Sequence, residues 1–133
     1  MKRFIAFVFL SFNSLSECKT QSLTGTKWEL IEVLDETEVN GLRDTAFKMT
    51  LLFTTDSTYQ GYFCNSYFGK YTSDQQSSLT LDRPSASRKY CSGRYSEQEG
   101  KLISYYQQVN SYAMSGGKLY LYAVRLKMVF KRS

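Results

Sequence analysis

Histidine is missing from all 133 residues of the chain. Histidine is the usual base that activates a serine or cysteine nucleophile, and its imidazole is a frequent ligand of zinc. Its absence excludes most triad-type hydrolases and most zinc enzymes. Proline occurs once, and no stretch rich in proline, glycine or serine follows position 21 that would separate two domains. We therefore expect one compact domain.

A strong charge bias and a membrane-spanning apolar run are also missing. The formal net charge is +5, and the basic residues are scattered rather than arranged in a stripe. Such a distribution is typical of a solvated surface, so we expect no nucleic-acid partner. The apolar run Phe4–Leu10 is far shorter than the roughly 20 residues that a spanning helix needs.

The first residues have the pattern of an export signal. Lys2 and Arg3 precede Phe4–Leu10, and small polar residues follow. We divide the chain into an export signal over residues 1–17, a tether over residues 18–22 and one domain over residues 23–133. The domain is then expected outside the cytoplasm.

Two processing sites compete at the end of this signal. Ser14-Leu15-Ser16 fits ordinary signal cleavage, whereas Leu15-Ser16-Glu17-Cys18 resembles the box before a lipid-modified cysteine in bacterial lipoproteins. Glu17 departs from that box, but the polar segment after Cys18 suits a tether. We favour lipidation of Cys18, which predicts a monomeric periplasmic or outer-membrane-anchored lipoprotein held at the membrane by a lipid anchor.

Aromatic residues are abundant, with 11 Tyr and 9 Phe. Alternating apolar and polar positions predict short strands, because successive side chains of a strand face opposite sides. The fold class predicted is mainly β (α+β): a strongly twisted antiparallel sheet or small, partly open β-barrel of 7–8 strands. The predicted strands are Lys27–Leu34, Met49–Phe53, Thr58–Phe63, Tyr67–Thr72, Ser78–Asp82, Tyr112–Ser115, Leu119–Tyr122 and Leu126–Phe130.

One packed α-helix is predicted after position 95. Ser96 and Glu99 have the spacing of a capping box, in which each residue bonds the backbone amide of the other. A stripe of apolar and aromatic residues follows at spacings of three and four, which predicts a helix face that covers the sheet. The stripe consists of Leu102, Tyr105, Tyr106, Val109 and Tyr112.

The cysteines of the domain, Cys64 and Cys91, leave several interpretations open. Basic residues between positions 88 and 94 could lower a thiol pKa, but no acid–base partner accompanies either cysteine. A metal site lacks a CxxC pair, and at most Cys18 could be added as a further cysteine ligand. An exported protein favours a Cys64–Cys91 disulfide, with buried free thiols as the alternative. We expect no cofactor and no metal.

Several motifs together resemble the META domain, also called HslJ-like. "LTGTKWELIEV", "GYFCNSYFGKY", "SASRKYC", "SYAMSGGKLYL" and "LKMVFKR" follow in the family's order over about residues 23–132. Phe63 replaces the glycine that usually precedes the Cys-Asn pair. The resemblance implies a barrel-like antiparallel sheet with one helix, in secreted or envelope proteins linked to stress response, drug tolerance and motility. It implies no reaction and no catalytic residues.

Candidate binding residues are aromatic. Asn65, Tyr67 and Tyr71 could line a ligand groove, and Tyr120 and Tyr122 oppose core-facing leucines on a predicted strand. We therefore expect a non-catalytic structural or binding module whose partner is an envelope protein or another envelope component. Two alternatives are a small-ligand carrier with a lipocalin-like cavity and a cysteine-dependent enzyme.

A structural interpretation competes with binding for the residues around the Cys-Asn pair. In that interpretation Trp28 fills the core, Asn65 bonds its own backbone in a turn, and Gly69 permits a close approach of two strands. Burial distinguishes the two interpretations, because core and turn residues are buried whereas the residues of a ligand groove must be accessible.

Overall fold

The computed structural model describes residues 22–37, 48–74, 76–89, 91 and 93–133. Nine strands and one helix are formed by these described residues. The strands are β1 Lys27–Asp35, β2 Thr50–Phe53, β3 Thr58–Tyr62, β4 Ser66–Ser73, β5 Leu79–Leu81, β6 Ser85–Ala86, β7 Ser111–Ser115, β8 Lys118–Ala123 and β9 Leu126–Arg132. The helix, α1, is Gly93–Gln108, and no described helix is long and apolar enough to cross a membrane.

Eight strands follow one antiparallel path, in the order β5-β4-β3-β2-β1-β9-β8-β7, and the short β6 pairs with β4 beside it. The two ends of the path approach each other at a bridge between Ser78 and Ser111. There the Leu79 amide donates to the Asn110 carbonyl at 3.2 Å, and the Tyr112 amide donates to the Ser77 carbonyl at 2.8 Å. The sheet is thus a nearly closed antiparallel barrel, which confirms the predicted fold class.

The interior of the barrel is filled by the alternate side chains of its strands. Trp28 pairs with Leu51 across β1 and β2, and Leu121 pairs with Met128 across β8 and β9. All four side chains are buried, as the period-two pattern predicted. The indole N–H of Trp28 donates to the Thr26 hydroxyl at 2.7 Å, so its one polar atom is satisfied.

Helix α1 covers one end of the barrel with the stripe that the sequence predicted, all of which is buried. The last two residues of the stripe, Val109 and Tyr112, lie beyond the end of the helix. The Tyr105 hydroxyl donates to Asp35 at 2.9 Å, where β1 ends. Hydrogen bonds from the Thr37 side chain, the Thr37 amide and Tyr105 hold the pKa of Asp35 below its ordinary value.

The predicted capping box is wrong, because the helix begins three residues before Ser96, at Gly93. Glu99 lies inside the helix, and its carboxylate accepts hydrogen bonds from the turn between β3 and β4. A serine three residues before a glutamate is typical of a capping box. The spacing alone does not show that the amides of Cys64 and Asn65 bind the same carboxylate instead.

Two glycines of β3 and β4 each lie directly opposite a tyrosine of the neighbouring strand. Gly61 lies opposite Tyr67, and Gly69 lies opposite Tyr59. A Cβ atom on Gly61 would overlap Cε2 of Tyr67, and one on Gly69 would lie 2.5 Å from Cε1 of Tyr59. Each ring therefore covers the glycine of the neighbouring strand, as expected for Gly69 from the sequence.

The buried tyrosines differ in how their hydroxyls are satisfied. Tyr59 donates to the carbonyl of Asp82 at 2.5 Å. The hydroxyls of Tyr67 and Tyr106 are buried without a hydrogen-bond partner among the described residues. Burial raises the pKa of all three phenols above the ordinary value. The interior of the barrel thus holds neutral tyrosines.

Candidate binding surfaces

Cys64 and Cys91 form a disulfide between the turn after β3 and the segment before α1, with their Cα atoms 6.2 Å apart. A sulfur in a disulfide is neither a thiolate nucleophile nor a metal ligand. Both sulfurs lie near the Glu99 carboxylate, and within the described part of the chain these three residues form the one cluster of potential metal ligands. In this oxidised state the cluster offers a metal only Glu99.

Asn65 is buried beside the disulfide, and its side chain bonds three residues of two other segments of the chain. Its side-chain amide donates to Glu99 at 2.6 Å, and its carbonyl oxygen accepts from the Lys89 amide at 2.6 Å and from the Ser87 hydroxyl at 3.1 Å. Asn65 therefore fastens the segment before the helix to the β3–β4 turn. Its partners lie 22 to 34 residues away, in contrast to the local turn bond expected from the sequence.

The side chain of Glu99 bonds the β3–β4 turn, and not the start of the helix as the sequence predicted. One carboxylate oxygen accepts from the Cys64 amide at 3.0 Å and from the Asn65 amide at 2.8 Å, while the other accepts from the Asn65 side chain. A buried carboxylate is tolerated when hydrogen bonds replace its hydration. The disulfide, Asn65 and Glu99, which we call the turn lock, thus form a saturated structural cluster.

The groove predicted from Asn65, Tyr67 and Tyr71 is not formed, because the structure separates the three side chains. Asn65 belongs to the turn lock, and Tyr67 is fully buried inside the barrel. Tyr71 lines a different place, an open cleft of about 500 Å³ beside Thr24 and Lys70. Its hydroxyl lies 3.1 Å from that of Thr24, and its ring packs edge-on against Phe53.

The Tyr71 cleft mixes charged, hydroxyl and apolar groups. Lys70 and Asp82 contribute opposite charges, and Leu23 and Tyr112 contribute apolar surface. Its volume falls within the range of small-molecule sites. Buried side chains fill the interior of the barrel, whereas a lipocalin-like carrier has a hollow lumen.

Tyr120 and Tyr122 lie together on the outer face of β8, as their alternation with leucines predicted. Their rings are stacked, with centroids 6.4 Å apart and an interplanar angle of 12°. The ammonium group of Lys127 lies 5.2 Å from the centre of the Tyr120 ring. Both tyrosines are half-buried, so part of each ring remains accessible.

Exposed aliphatic side chains border this tyrosine pair. Leu34 is 48% exposed and Val124 is 79% exposed. Lys127 is the β-sheet partner of both Leu34 and Tyr122, so these three side chains share one row across β1, β9 and β8. Beneath them Val129, the partner of Tyr120, is buried on the outer face. We call Leu34, Tyr120, Tyr122, Val124 and Lys127 the tyrosine face.

Cys18, the predicted lipidation site, lies outside the described residues, as does the whole export signal. The described chain begins at Ser22. The predictions of an export signal, a tether and a lipid anchor therefore remain predictions.

A small, nearly closed antiparallel barrel with one helix over its end, a filled interior and a disulfide-locked turn defines the structural class of the chain. The sequence profile of the META domain family matches residues 21–133. The chain belongs to the META domain family. No curated protein sequence matches it.

Solved structures of other proteins share the fold. An NMR structure of a protein from Burkholderia xenovorans superposes with a TM-score of 0.67 at 22% identity, and the match covers 86% of each chain. A crystal structure of a DUF4847 family protein from Bacteroides vulgatus superposes with a TM-score of 0.58 at 12% identity, covering 80% of this chain and 92% of that one. At these identities the likeness concerns the fold alone.

Proposed function

We propose that the protein is a non-catalytic binding module of the bacterial cell envelope, which docks an envelope protein on the tyrosine face. The observation that carries the proposal is the stacked pair of Tyr120 and Tyr122 with accessible ring surface beside exposed Leu34 and Val124. Tyrosines bury a large area at a small entropic cost, and their hydroxyls tolerate both water and a partner.

The shape and charge of the tyrosine face favour a protein partner. The face follows three neighbouring strands of a rigid barrel wall, so little ordering of this surface accompanies binding. Lys127 adds a positive charge between Leu34 and Tyr122, which suits a partner with an acidic group near an apolar patch. A modest affinity is expected, because the apolar area is small and partly buried already.

A non-catalytic role is supported by the state of the reactive groups. The sulfurs of Cys64 and Cys91 are bonded to each other. The carboxylate of Glu99 accepts three hydrogen bonds from the β3–β4 turn. These groups are engaged in holding the fold, so they are poorly suited to attack or protonate a substrate.

The proposed location follows from the first residues of the chain. Lipidation of Cys18 after removal of residues 1–17 would attach the domain to a membrane through the short segment 18–22. The Cys64–Cys91 disulfide supports an oxidising compartment. The protein would then act as a periplasmic or outer-membrane-anchored lipoprotein.

The test is a pull-down from intact, crosslinked envelopes with the tagged protein. A variant carrying Tyr120→Ser and Tyr122→Ser should lose the captured partner and keep its folded circular dichroism spectrum. Tyr62→Ser is the matched control, because Tyr62 is 47% exposed and lies on β3, away from the tyrosine face. Capture that survives the double substitution, or that Tyr62→Ser abolishes equally, would contradict the proposal.

A second candidate function is binding of a small polar molecule in the Tyr71 cleft, which its volume favours. A ligand there would stabilise the folded state in proportion to its concentration. A thermal-shift screen of envelope saccharides and amino acids tests this, with Lys70→Ala as the cleft variant and Lys127→Ala as the control. A shift that disappears only with Lys70→Ala would support the carrier, and the lack of any shift would dismiss it.

A further inference from the structure

The ends of three neighbouring strands gather basic side chains that are far apart in the sequence. Lys27 begins β1, Lys118 begins β8, and Lys131 and Arg132 end β9. The pairing of Glu29 with Lys131 and of Lys131 with Lys118 places these residues in adjacent positions at one end of the barrel. We call Lys27, Lys118, Lys131 and Arg132 the basic rim.

The basic rim is accessible and only partly neutralised. Lys27, Lys118 and Arg132 are exposed, and Lys131 shows 54% of its side chain. The neighbouring acid is Glu29, which lies 4.0 Å from the ammonium group of Lys131. Arg132 lies over the ring of Trp28 at 4.6 Å, so the core residue holds that cation at the mouth of the barrel.

Acidic residues other than Glu29 also lie at this end of the barrel. Asp56 is on the turn between β2 and β3, and Asp74 follows β4. Asp56 is separated from β9 by β2 and β1, whereas Asp74 bonds Ser78, whose segment bridges to β7 beside β8. The basic side chains of the rim lie where β1, β9 and β8 meet, with Glu29 beside Lys131.

The chain enters the domain at the same end. The Gly25 amide donates to the Phe53 carbonyl at 2.7 Å, and the Thr26 carbonyl accepts from the Phe53 amide at 2.9 Å, directly before Lys27. Cys18 precedes Ser22 by four residues, which can span at most about 14 Å. A lipid on Cys18 would hold Ser22, where the described chain begins, within roughly two Debye lengths of a membrane surface.

We propose that the basic rim binds the headgroups of anionic phospholipids and so docks this end of the barrel on the membrane that carries the anchor. The anchor would attach the domain through one short segment of chain, and a basic patch would fix which side of the barrel faces the anionic headgroups. Phe68 supports a membrane over a nucleic acid as the partner. It is 53% exposed and shares a row with Lys27 through Gln60 and Leu52, and aromatic rings are enriched at lipid headgroups.

This orientation leaves the tyrosine face available. Tyr122 and Val124 lie where β8 ends, whereas the rim residue Lys118 lies where that strand begins. The inference uses the proposed envelope location, but it does not use the partner at Tyr120 and Tyr122. Failure of one therefore leaves the other standing.

The test uses the processed chain from residue 18 with Cys18→Ser, which contains the complete described core and lacks a lipid. It is sedimented with vesicles of equal parts phosphatidylglycerol and phosphatidylcholine, and with vesicles of phosphatidylcholine alone. Binding is expected to the first vesicles only and should weaken as salt is raised. Lys27→Gln with Lys118→Gln should weaken it by about 25-fold, since each cation near an anionic surface contributes about fivefold.

The matched control is Arg88→Gln with Arg125→Gln, which removes the same charge from the opposite end of the barrel. The Ser87 amide bonds Ser66 at the β3–β4 turn, and the Arg125 carbonyl bonds Glu36 after β1. These substitutions should leave vesicle binding nearly unchanged. Equal losses for both pairs, no preference for phosphatidylglycerol, or tighter binding to a DNA duplex than to the vesicles would each overturn the proposal.

Discussion

Tyrosine occupies both faces of the barrel wall, and its surroundings differ between them. On the inner face Tyr59 and Tyr67 lie flat over glycines of the neighbouring strand and are fully buried. On the outer face Tyr120 and Tyr122 stack on each other, with Lys127 over one ring. The inner rings stabilise the fold, and the outer rings leave surface for a partner. Strand alternation, more than residue type, therefore decides whether a tyrosine is buried or keeps accessible surface.

The largest loss of stability is expected for a substitution at Gly61, which the ring of Tyr67 covers. Gly61→Ala places a Cβ atom where Tyr67 lies, so the ring or the strand must move. We expect a loss of about 3 kcal/mol in the free energy of unfolding, measured by urea denaturation.

The control is Gly100→Ala on the helix, where an added Cβ meets nothing within 4 Å. It should stabilise the protein by about 0.5 kcal/mol. A neutral Gly61→Ala would contradict the close packing of Tyr67 on this glycine.

Alkaline pH should unfold the protein through its inner tyrosines. Burial raises the pKa of Tyr67 and Tyr106 above the ordinary value of 10.0. The free energy of unfolding is therefore unaffected by the ionisation of these two phenols below about pH 10. It falls as the pH rises further, because the phenols of the unfolded chain ionise first. The expected slope is about 1.4 kcal/mol per pH unit for each phenol. Denaturation at several pH values measures it, and Tyr67→Phe should reduce the slope. An unchanged slope would show that Tyr67 is not buried in solution.

A smaller change in stability is expected when a substitution removes only the hydroxyl of a buried tyrosine and keeps the ring. The Tyr67 hydroxyl has no hydrogen-bond partner among the described residues, so its removal costs no bond. Tyr67→Phe at neutral pH should be neutral or stabilising by up to about 1 kcal/mol. Tyr59→Phe should instead destabilise by about 1 kcal/mol, because Tyr59 donates to Asp82. The reverse ranking in thermal denaturation would show that the two hydroxyls are assigned wrongly.

The outer tyrosines should contribute little to stability for the size of the change. Tyr120→Ser with Tyr122→Ser removes a stacked pair that is half-exposed. The loss should be about 1 kcal/mol, while partner capture should disappear. Denaturation and capture are measured on the same preparation. A large loss of stability with unchanged capture would assign these residues to the fold.

Much of the fold could be predicted because it depends on local patterns. The alternation in β8 and β9 predicts inward-facing Leu119, Leu121 and Met128, and all three side chains are buried. The stripe from Leu102 to Tyr112 is buried too, and its first three residues form the covering face of the helix, which ends before Val109 and Tyr112. In each case the signal is a period of two or of three to four, which one strand or helix carries by itself.

The turn lock could not be predicted because it depends on contacts between distant segments. Glu99 satisfied a local capping pattern, yet its carboxylate reaches amides 34 and 35 residues earlier in the chain. Asn65 fitted a local turn bond, yet it holds Lys89 and Ser87. A buried polar group finds its partners only when the chain has folded, and one sequence does not record that choice. The basic rim was missed for the same reason, since strand register assembles it.

The most direct test of the proposed docking role of the tyrosine face places the photoreactive amino acid benzoylphenylalanine on this face in living cells. It is introduced at position 120 or 122 and, as controls, at position 62 on β3 or at the exposed position 107 on the helix. Positions 120 and 122 are predicted to crosslink to the same envelope protein, while positions 62 and 107 do not. A crosslink to that protein from position 62 or 107 in equal yield, or none from position 120, would contradict a docking role for the tyrosine face.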